Sequence, residues 1–120
     1  MQVDSPSPTQ LQSVFQAIAD PTRRSILSML SEQDMTIGEI VDRFSVTRAA
    51  IKKHLVMLER GGLISVQQRG RERINTLEPM GLKSVDDWLS HFHQFWDQKL
   101  SKLQTVAENE ERAKTRSKDP

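Results

Sequence analysis

The residues best suited to bind a ligand lie in one segment, residues 45–58, which reads SVTRAAIKKHLVML. Thr47 can cap a helix here, because its hydroxyl can accept a hydrogen bond from an unpaired backbone N–H of the first turn. The two alanines favour the helix, and no glycine or proline interrupts it before Gly61. One stripe of this predicted helix is apolar, with Ile51, Leu55 and Leu58, and the other side carries Ala49, Lys52, Lys53, Val56 and Arg60.

The second side of this helix suits a DNA duplex. Small residues near its start allow close approach to a surface, and the lysines further along suit phosphate. A helix laid in a major groove needs both properties. The alternative, from this segment alone, is an ordinary amphipathic helix whose charged face is solvated.

The distribution of charge favours the DNA interpretation. The 120-residue chain has a net charge of only +1, but residues 43–73 hold eight Lys/Arg and two Glu, which gives +6. The remainder has nine positive and fourteen negative charges and therefore carries −5. A basic middle in a mildly acidic chain is typical of a protein that binds a polyanion.

Composition excludes several kinds of site and compartment. The chain has no cysteine, which excludes disulfides, thiolate redox chemistry and cysteine-ligated zinc. Its first ten residues, MQVDSPSPTQ, lack the pattern of a signal peptide, and no stretch approaches the ~18 apolar residues of a membrane span. We therefore expect a cytoplasmic protein.

Two helices are predicted before this segment. The first begins near Thr9 and has its apolar residues at helical spacing, namely Leu11, Val14, Phe15 and Ile18. Asp20 and Pro21 end it and start the second, because aspartate caps well and proline at the first helical position loses no hydrogen bond. Arg23 and Arg24 lie in that first turn against the preference of the helix dipole, which suggests a phosphate, an acidic partner or plain solvation.

A helix-turn-helix is predicted across residues 36–58. Thr36 is placed to cap a short third helix, and Glu39 stands where a capping box requires an acidic residue. A turn of three or four residues then leads into the helix capped by Thr47. Two short helices joined in this way, the second of them basic, are typical of a DNA-binding helix-turn-helix.

A β-hairpin is predicted directly after the basic helix. Gly61 and Gly62 end the helix, residues 63–66 and 73–77 have the composition of strands, and Gly70 can take the positive φ of a tight turn. Three arginines stand at or near the tip, Arg69, Arg71 and Arg73. As a wing, they would contact phosphate or enter a minor groove. The alternative is a charged hairpin edge that resists aggregation.

A long helix rich in aromatic residues is predicted after Gly81. Its apolar face is too broad for one small domain to bury, so we predict a dimer interface that it shares with the first helix. The residues assigned to this interface are Leu11, Val14, Phe15, Ile18, Val85, Trp88, Leu89, Phe92, Trp96 and Leu103. The alternatives are an intrachain core or a ligand pocket lined by aromatic side chains.

Four short stretches of the chain fall in an informative order. They are ADPTRRSIL at 19–27, IKKHLVML at 51–58, ERGGLI at 59–64 and RGRER at 69–73. Together they resemble the ArsR/SmtB family of bacterial winged-helix repressors, and the resemblance covers residues 9–104. It implies a mainly α fold with about five helices and a small two-stranded β-hairpin wing, dimerising through the first and last helices.

The resemblance also implies a function and an organisation of the chain. It implies a homodimeric repressor of an inverted-repeat operator near its own gene, with the winged-helix domain and its dimerisation helices at 9–106. A flexible arm at 1–8 and a polar tail at 107–120 are predicted to flank it, the tail being either a frayed helix end or disordered. The residues implied to contact double-stranded DNA are Thr36, Thr47, Arg48, Ala49, Lys52, Lys53, Arg69, Arg71 and Arg73.

The chain departs from the metal-sensing members of the family that it resembles. Those members carry a cysteine pair in the third helix or a set of Asp, His and Glu ligands on the last, and here residues 37–42 have no thiol. Weak metal candidates remain on the last helix, namely Asp87, His91, His93 and Asp97. The two histidines are two residues apart and diverge, so surface histidines are the preferred interpretation and no cofactor is predicted.

Three other functions remain as alternatives. An enzyme is disfavoured because the chain has no cysteine nucleophile, no glycine-rich phosphate loop and no HExxH motif. A winged helix used for protein–protein contact would need no cations on both the helix and the hairpin tip. A repressor that senses a metal through His and Asp of the last helix is the third. The effector, the operator sequence and the regulated genes are left unassigned.

Overall fold

The computed structural model describes the backbone of residues 8–118 and the side chains of residues 9–114. Two compact units divide the chain between Asp86 and Asp87. The elements of the first unit are α1 (Pro8–Ile18), α2 (Pro21–Leu30), β1 (Met35–Thr36), α3 (Ile37–Val41), α4 (Arg48–Arg60), β2 (Ile64–Arg69), β3 (Glu72–Leu77), a 3-10 turn (Pro79–Leu82) and the first half of α5 (Lys83–Ser90). The second unit holds the rest of α5 and α6 (His93–Lys118).

The predicted fold class, mainly α with a β-hairpin wing, is confirmed, with one addition to the sheet. The sequence predicts no strand before the third helix, but Met35 and Thr36 form a short strand that pairs antiparallel with Asn75 and Ile74 of β3. The sheet therefore has three strands in the order β1-β3-β2. Two residues are too few to show an alternating pattern, so the strand depends on its partner rather than on a local signal.

The last helix differs from its prediction at two places. It is divided at residues 91–92, where Ser90 Oγ and His91 Nδ1 bond to the carbonyl oxygens of Asp87 and Trp88 and so compete with the backbone ladder. It also continues to Lys118, through the stretch from residue 107 that was predicted to be a frayed helix end or a disordered tail. Alanine, glutamate, lysine and arginine dominate this stretch, and all four favour helix without needing an apolar face. The predicted arm, apart from Pro8, lies outside the described residues.

Two arginines of α2 cap the end of α1. Arg23 donates from Nε to the carbonyl oxygen of Ala17 at 2.7 Å and from Nη2 to that of Gln16 at 2.9 Å. Arg24 donates from Nη1 to the carbonyl oxygen of Ile18 at 2.8 Å. These carbonyls have no partner within their own helix, so the cations that oppose the dipole of α2 satisfy the C-terminus of α1.

The same arginine connects this corner to α4. Arg23 Nη1 lies 3.2 Å from His54 Nδ1, and the Asp20 carboxylate lies 3.9 Å from the same nitrogen. Because a guanidinium can only donate, His54 Nδ1 is the acceptor in this contact. Asp20 caps α2 by accepting the backbone N–H of Arg23, and this bond is the main reason that the pKa of Asp20 is lowered.

The helix-turn-helix is closed by caps that fix where each helix starts. Thr36 accepts the backbone N–H of Glu39 at 3.2 Å while the Glu39 carboxylate accepts that of Thr36, which lowers the pKa of Glu39. Thr47 accepts the backbone N–H of Ala50 at 3.1 Å. Both caps were predicted, and both helices begin where they place them.

The C-terminus of α4 is a Schellman motif that turns the chain into the wing. Gly62 has φ +74°, its N–H donates to the carbonyl oxygen of Glu59, and the N–H of Leu63 donates to that of Leu58. The hairpin that follows has a two-residue turn, Gly70-Arg71, between the paired residues Arg69 and Glu72. Gly70 has φ +63°, as the first position of a type II′ turn requires.

One apolar core holds the first unit together. It is built from α1, α2, α4, the start of β2 and single residues of β1 and α3. Its members are Val14, Ala17, Ile26, Leu27, Leu30, Met35, Ile40, Ile51, Leu55, Leu58, Leu63 and Ile64. Asn75 is the buried polar side chain of the described residues, and its amide donates to the carbonyl oxygen of Met35 at 3.1 Å. It therefore ties β3 to β1.

The close approach of Gly81 to the backbone of Gly62 leads to a prediction about stability. A Cβ on Gly81 would overlap the carbonyl oxygen of Gly62 and lie 3.0 Å from a methyl of Leu63, whereas a Cβ on Gly38 would meet no atom nearer than 3.9 Å. We expect Gly81→Ala to lower the free energy of unfolding by about 1–3 kcal/mol, because backbone must move to admit the methyl.

Gly38→Ala is the matched control. It makes the same change inside α3, where alanine is favoured over glycine by roughly 0.5–1 kcal/mol, so its free energy of unfolding should be equal or higher. Urea denaturation followed by circular dichroism measures both. Equal stability of the two variants would show that the Gly62–Gly81 contact is not a constraint on the fold.

Candidate nucleic-acid interface

The solvent face of α4 is set by the residues that the helix buries. Ile51, Leu55 and Leu58 are at most 7% exposed and anchor α4 in the core. The opposite face is a shallow surface groove lined by Ala49, Lys52, Lys53, Val56, Met57 and Arg60. At about 1.5 Å per residue, this surface extends roughly 16 Å along the helix, from Ala49 to Arg60.

The wing presents its arginines in two directions. Side chains alternate along a strand, and the pairing of Gln68 with Arg73 and of Val66 with Asn75 sets which residues share a face. Arg73 shares the face of Val66 and Asn75, which borders α4, whereas Arg69 is on the opposite face and Arg71 is in the turn. The three arginines were predicted as one group. Arg73 instead lies on the side of the hairpin that faces α4, and Arg69 and Arg71 lie at the tip.

A cavity of about 240 Å³ lies between α4 and the wing. It brings together Arg48 and Lys52 of α4 with Arg73 of β3, three residues that the sequence assigned to DNA. The full lining is Ile37, Arg48, Lys52, Leu55, Val56, Glu59, Val66, Arg73 and Asn75. Lys52 also borders the outer groove of α4, so it joins the two cationic surfaces.

The two predicted threonines have structural tasks. The hydroxyls of Thr36 and Thr47 each accept a backbone N–H as helix caps, and that of Thr36 also lies 3.1 Å from a Glu39 carboxylate oxygen. Caps of this kind account for the presence of threonine at both positions without a contact to DNA. Their assignment to DNA stays a prediction.

The structure adds two residues to the surfaces that hold the predicted DNA contacts: Arg60, which the sequence placed on the same side of the helix without assigning it a contact, and Glu59. Arg60 borders the same groove as Lys53, and Glu59 lines the same cavity as Lys52. Each lies seven residues after its neighbour, which is two helical turns, so helical periodicity alone could have identified them.

The residues predicted for a dimer interface fall into two groups. Those of the second unit are open to solvent: Trp88, Phe92, Trp96 and Leu103 are 39–64% exposed, and so are Phe95, Leu100 and Val106, which the prediction omitted. Leu89 is half-buried. In the first unit Val14 is 4% exposed and belongs to the core, and Ile18 and Val85 pack against it. Leu11 and Phe15 are half-buried on α1.

The metal candidates do not form a ligand set. Within the described residues, no three His, Asp or Glu side chains come together as ligands of one ion. His91 Nδ1 contacts the carbonyl oxygen of Trp88 at 3.0 Å, and the ring of His93 lies 5.4 Å from that of Trp96. Among the residues that the structure describes, no helix is both long and apolar enough to cross a membrane.

The chain is similar in sequence to known proteins. A family model described as a helix-turn-helix domain matches residues 18–67. The transcriptional repressor SdpR of Bacillus subtilis is 35% identical over 82 residues, which is 68% of this chain and 91% of SdpR. The HTH-type transcriptional regulator Rv2034 of Mycobacterium tuberculosis is 30% identical over 96 residues, 80% of this chain and 87% of that protein.

A solved structure agrees with both relatives. The crystal structure of the ArsR family transcriptional regulator RHA00566 superimposes with a TM-score of 0.70 at 34% identity. The match covers 78% of this chain and 96% of that one. The resemblance predicted from four short stretches is thus confirmed in sequence and in fold. The chain is a member of the ArsR family of winged helix-turn-helix transcriptional regulators.

Proposed function

We propose that this regulator is a homodimeric repressor that binds an inverted-repeat operator near its own gene. The observation that carries the proposal is the continuity of cations across α4 and the wing. Two adjoining surfaces are lined by Arg48, Lys52, Lys53, Arg60 and Arg73. Arg69 and Arg71 stand at the tip of the same hairpin. SdpR, which is 35% identical, is named a repressor.

The geometry of α4 fits a major groove. A B-DNA major groove is roughly 12 Å wide and admits one helix. The outer face of α4 has the small side chain of Ala49 near its N-terminus, where a recognition helix approaches base edges, and Lys53 and Arg60 one or more turns further on. We assign base reading to the start of α4 and phosphate contact to its lysines and to Arg60.

The wing supplies contacts beyond the groove that α4 occupies. Arg69 and Arg71 are exposed at the tip, and a guanidinium suits both phosphate and a narrow minor groove. Arg73 points toward α4 and would bind backbone phosphate between the helix and the wing. We therefore place the protein in the cytoplasm, where it would meet its target DNA.

A dimer is proposed from the exposed apolar side chains of the second unit. Seven large apolar residues from Trp88 to Val106 are 39–64% exposed. Exposed apolar patches of this kind mark protein interfaces, and a second copy supplies an equivalent surface. A two-fold dimer matches an inverted repeat whose half-sites are about one helical turn apart, or a multiple of it. With no cysteine in the chain, the proposal includes no thiolate metal gate.

The first test removes one cation from the outer face of α4. Lys53→Gln should weaken operator binding and reduce the dependence of affinity on salt, because fewer counterions are released from DNA. Each phosphate contact contributes about 0.9 to the slope of log K against log salt, so a dimer that loses two contacts should lose about 1.8. Fluorescence anisotropy at several salt concentrations gives the slope.

Lys83→Gln is the control for this charge change. Lys83 lies at the start of α5 and contacts Asp86 at 3.8 Å, outside both cationic surfaces. Its loss should leave the slope unchanged within about 0.3 of the wild-type value. If both variants lower the slope equally, net charge rather than the face of α4 governs binding.

The second test places a charge on the apolar side of α6. Trp96→Glu should shift the protein from dimer to monomer and weaken dimerisation at least about 100-fold, because a carboxylate would be buried without a partner. Gln98→Glu adds the same charge two residues away, on the other side of the helix, and should remain dimeric. Analytical ultracentrifugation measures the state of each, and a Trp96→Glu dimer of wild-type affinity would move the interface elsewhere.

A further inference from the structure

We propose that the cavity between α4 and the wing is a binding site for a small amphipathic monoanion, a carboxylate with a short apolar tail. The cavity has a volume of about 240 Å³. Sites for drug-sized ligands are about 300–1,000 Å³, so this one suits a molecule of fragment size. Its effect on transcription rests on the proposed function, whereas its binding does not.

The cations of the cavity define the head group. Arg48, Lys52 and Arg73 line it against a single acidic side chain, Glu59, so the lining carries a net charge of +2. Within the described residues, none of these three cations forms an ion pair with a carboxylate. The described part of the chain therefore leaves a net positive charge at the cavity, which a bound carboxylate would reduce.

The arrangement of these charges gives the ligand a direction. Lys52 and Glu59 are seven residues apart on α4, which separates them by roughly 10 Å along the helix axis. Arg48 is a further turn away from Glu59, and its guanidinium reaches over α3, where its Nη1 would lie 3.9 Å from a Cβ on Gly38. The anionic head belongs at the Arg48 end, and Glu59 disfavours a second negative charge at the other.

The remaining walls define the tail. The aliphatic side chains that line this space come from three elements, α3, α4 and β2, and are Ile37, Leu55, Val56 and Val66. Val56 is 41% exposed without a ligand. Free phosphate would satisfy the cations but leave the exposed parts of these side chains, above all Val56, in water, whereas a short alkyl tail would cover them. The chemistry therefore favours an organic acid over an inorganic anion.

Occupancy would oppose DNA binding. The head group uses Arg48, Lys52 and Arg73, which are the cations assigned to phosphate between α4 and the wing. A ligand that binds the free protein but not the complex lowers the apparent affinity for DNA by a factor of 1 + [ligand]/Kd at each site. The cavity would then act as a release site that needs no metal.

The test uses hexanoate as the probe and the full-length, isotope-labelled chain without DNA. Hexanoate should give saturable amide shifts on both walls, at Val56 and Val66, with a Kd on the order of 1 mM, as its size allows. Hexylamine, which has the same tail and the opposite charge, and acetate, which lacks the tail, should each bind at least tenfold more weakly. Equal binding of hexylamine, or no saturation with hexanoate, would overturn the site.

Two arginines of the hairpin separate the cavity from general surface charge. Arg73→Gln should weaken hexanoate binding at least tenfold, whereas Arg69→Gln, on the other face of the same hairpin, should leave the Kd for hexanoate unchanged. Lys52→Gln provides a second cavity variant and should resemble Arg73→Gln. If Arg69→Gln weakens hexanoate binding as much as Arg73→Gln does, the anion is attracted by the hairpin as a whole and the cavity is not its site.

A second experiment, with DNA present, separates this inference from the proposed function. Hexanoate at ten times its Kd should lower operator affinity about 100-fold for the wild-type dimer, because each of its two cavities must be empty in the complex and each contributes about tenfold. The same concentration of acetate is the control for ionic strength. Unchanged DNA affinity despite saturable hexanoate binding would refute the release role. Failure of the protein to bind any DNA would instead refute the proposed function, and the shifts at Val56 and Val66 would still decide the site.

Discussion

The burial of one stripe of α4 is the constraint on which the rest of the structure depends. Ile51, Leu55 and Leu58 enter the core, and because a helix turns 3.6 residues at a time, this alone determines that Lys53 and Arg60 face outward. The caps at Thr47 and Gly62 then set how long the outward face is and where the chain leaves it. A helix displaced by one residue would rotate its cations toward the core.

The neighbours of α4 hold this orientation through polar contacts as well as packing. Arg23 joins the carbonyl end of α1 to the ring of His54, so three helices share one guanidinium. On the opposite side, the Schellman motif brings the wing back along α4, and Asn75 ties that wing to the strand that precedes α3. The cationic surfaces of α4 and of the wing are thus connected through one set of contacts rather than being separate features.

Much of this could be predicted from the sequence, because the signals are local. The caps of α2, α3 and α4 and the hairpin turn each depend on a few adjacent residues whose chemistry is specific, and the structure places all of them as expected. The strand Met35–Thr36 could not be predicted, since its hydrogen bonds go to residues 38 or more positions away. The task of Arg23 was missed because it also depends on packing. Its carbonyl acceptors are only six and seven residues away in the chain, but they face Arg23 only after α1 and α2 fold against each other.

The cavity beside α4 shows a further limit of sequence reasoning. Arg48, Lys52 and Arg73 could each be assigned to DNA by charge, but nothing in their spacing says that β3 directs one of them inward and the tip directs the others away. Pairing register decides this, and a shift of one residue would reverse it. The most direct measurement of the central claim is binding of the EDTA-treated protein to the DNA upstream of its own gene, at about 50 mM and 200 mM salt. The account predicts site-specific binding that falls roughly 10³-fold or more between them, as six or more phosphate contacts require. Affinity that is no higher than for unrelated DNA, or that does not change with salt, would contradict it.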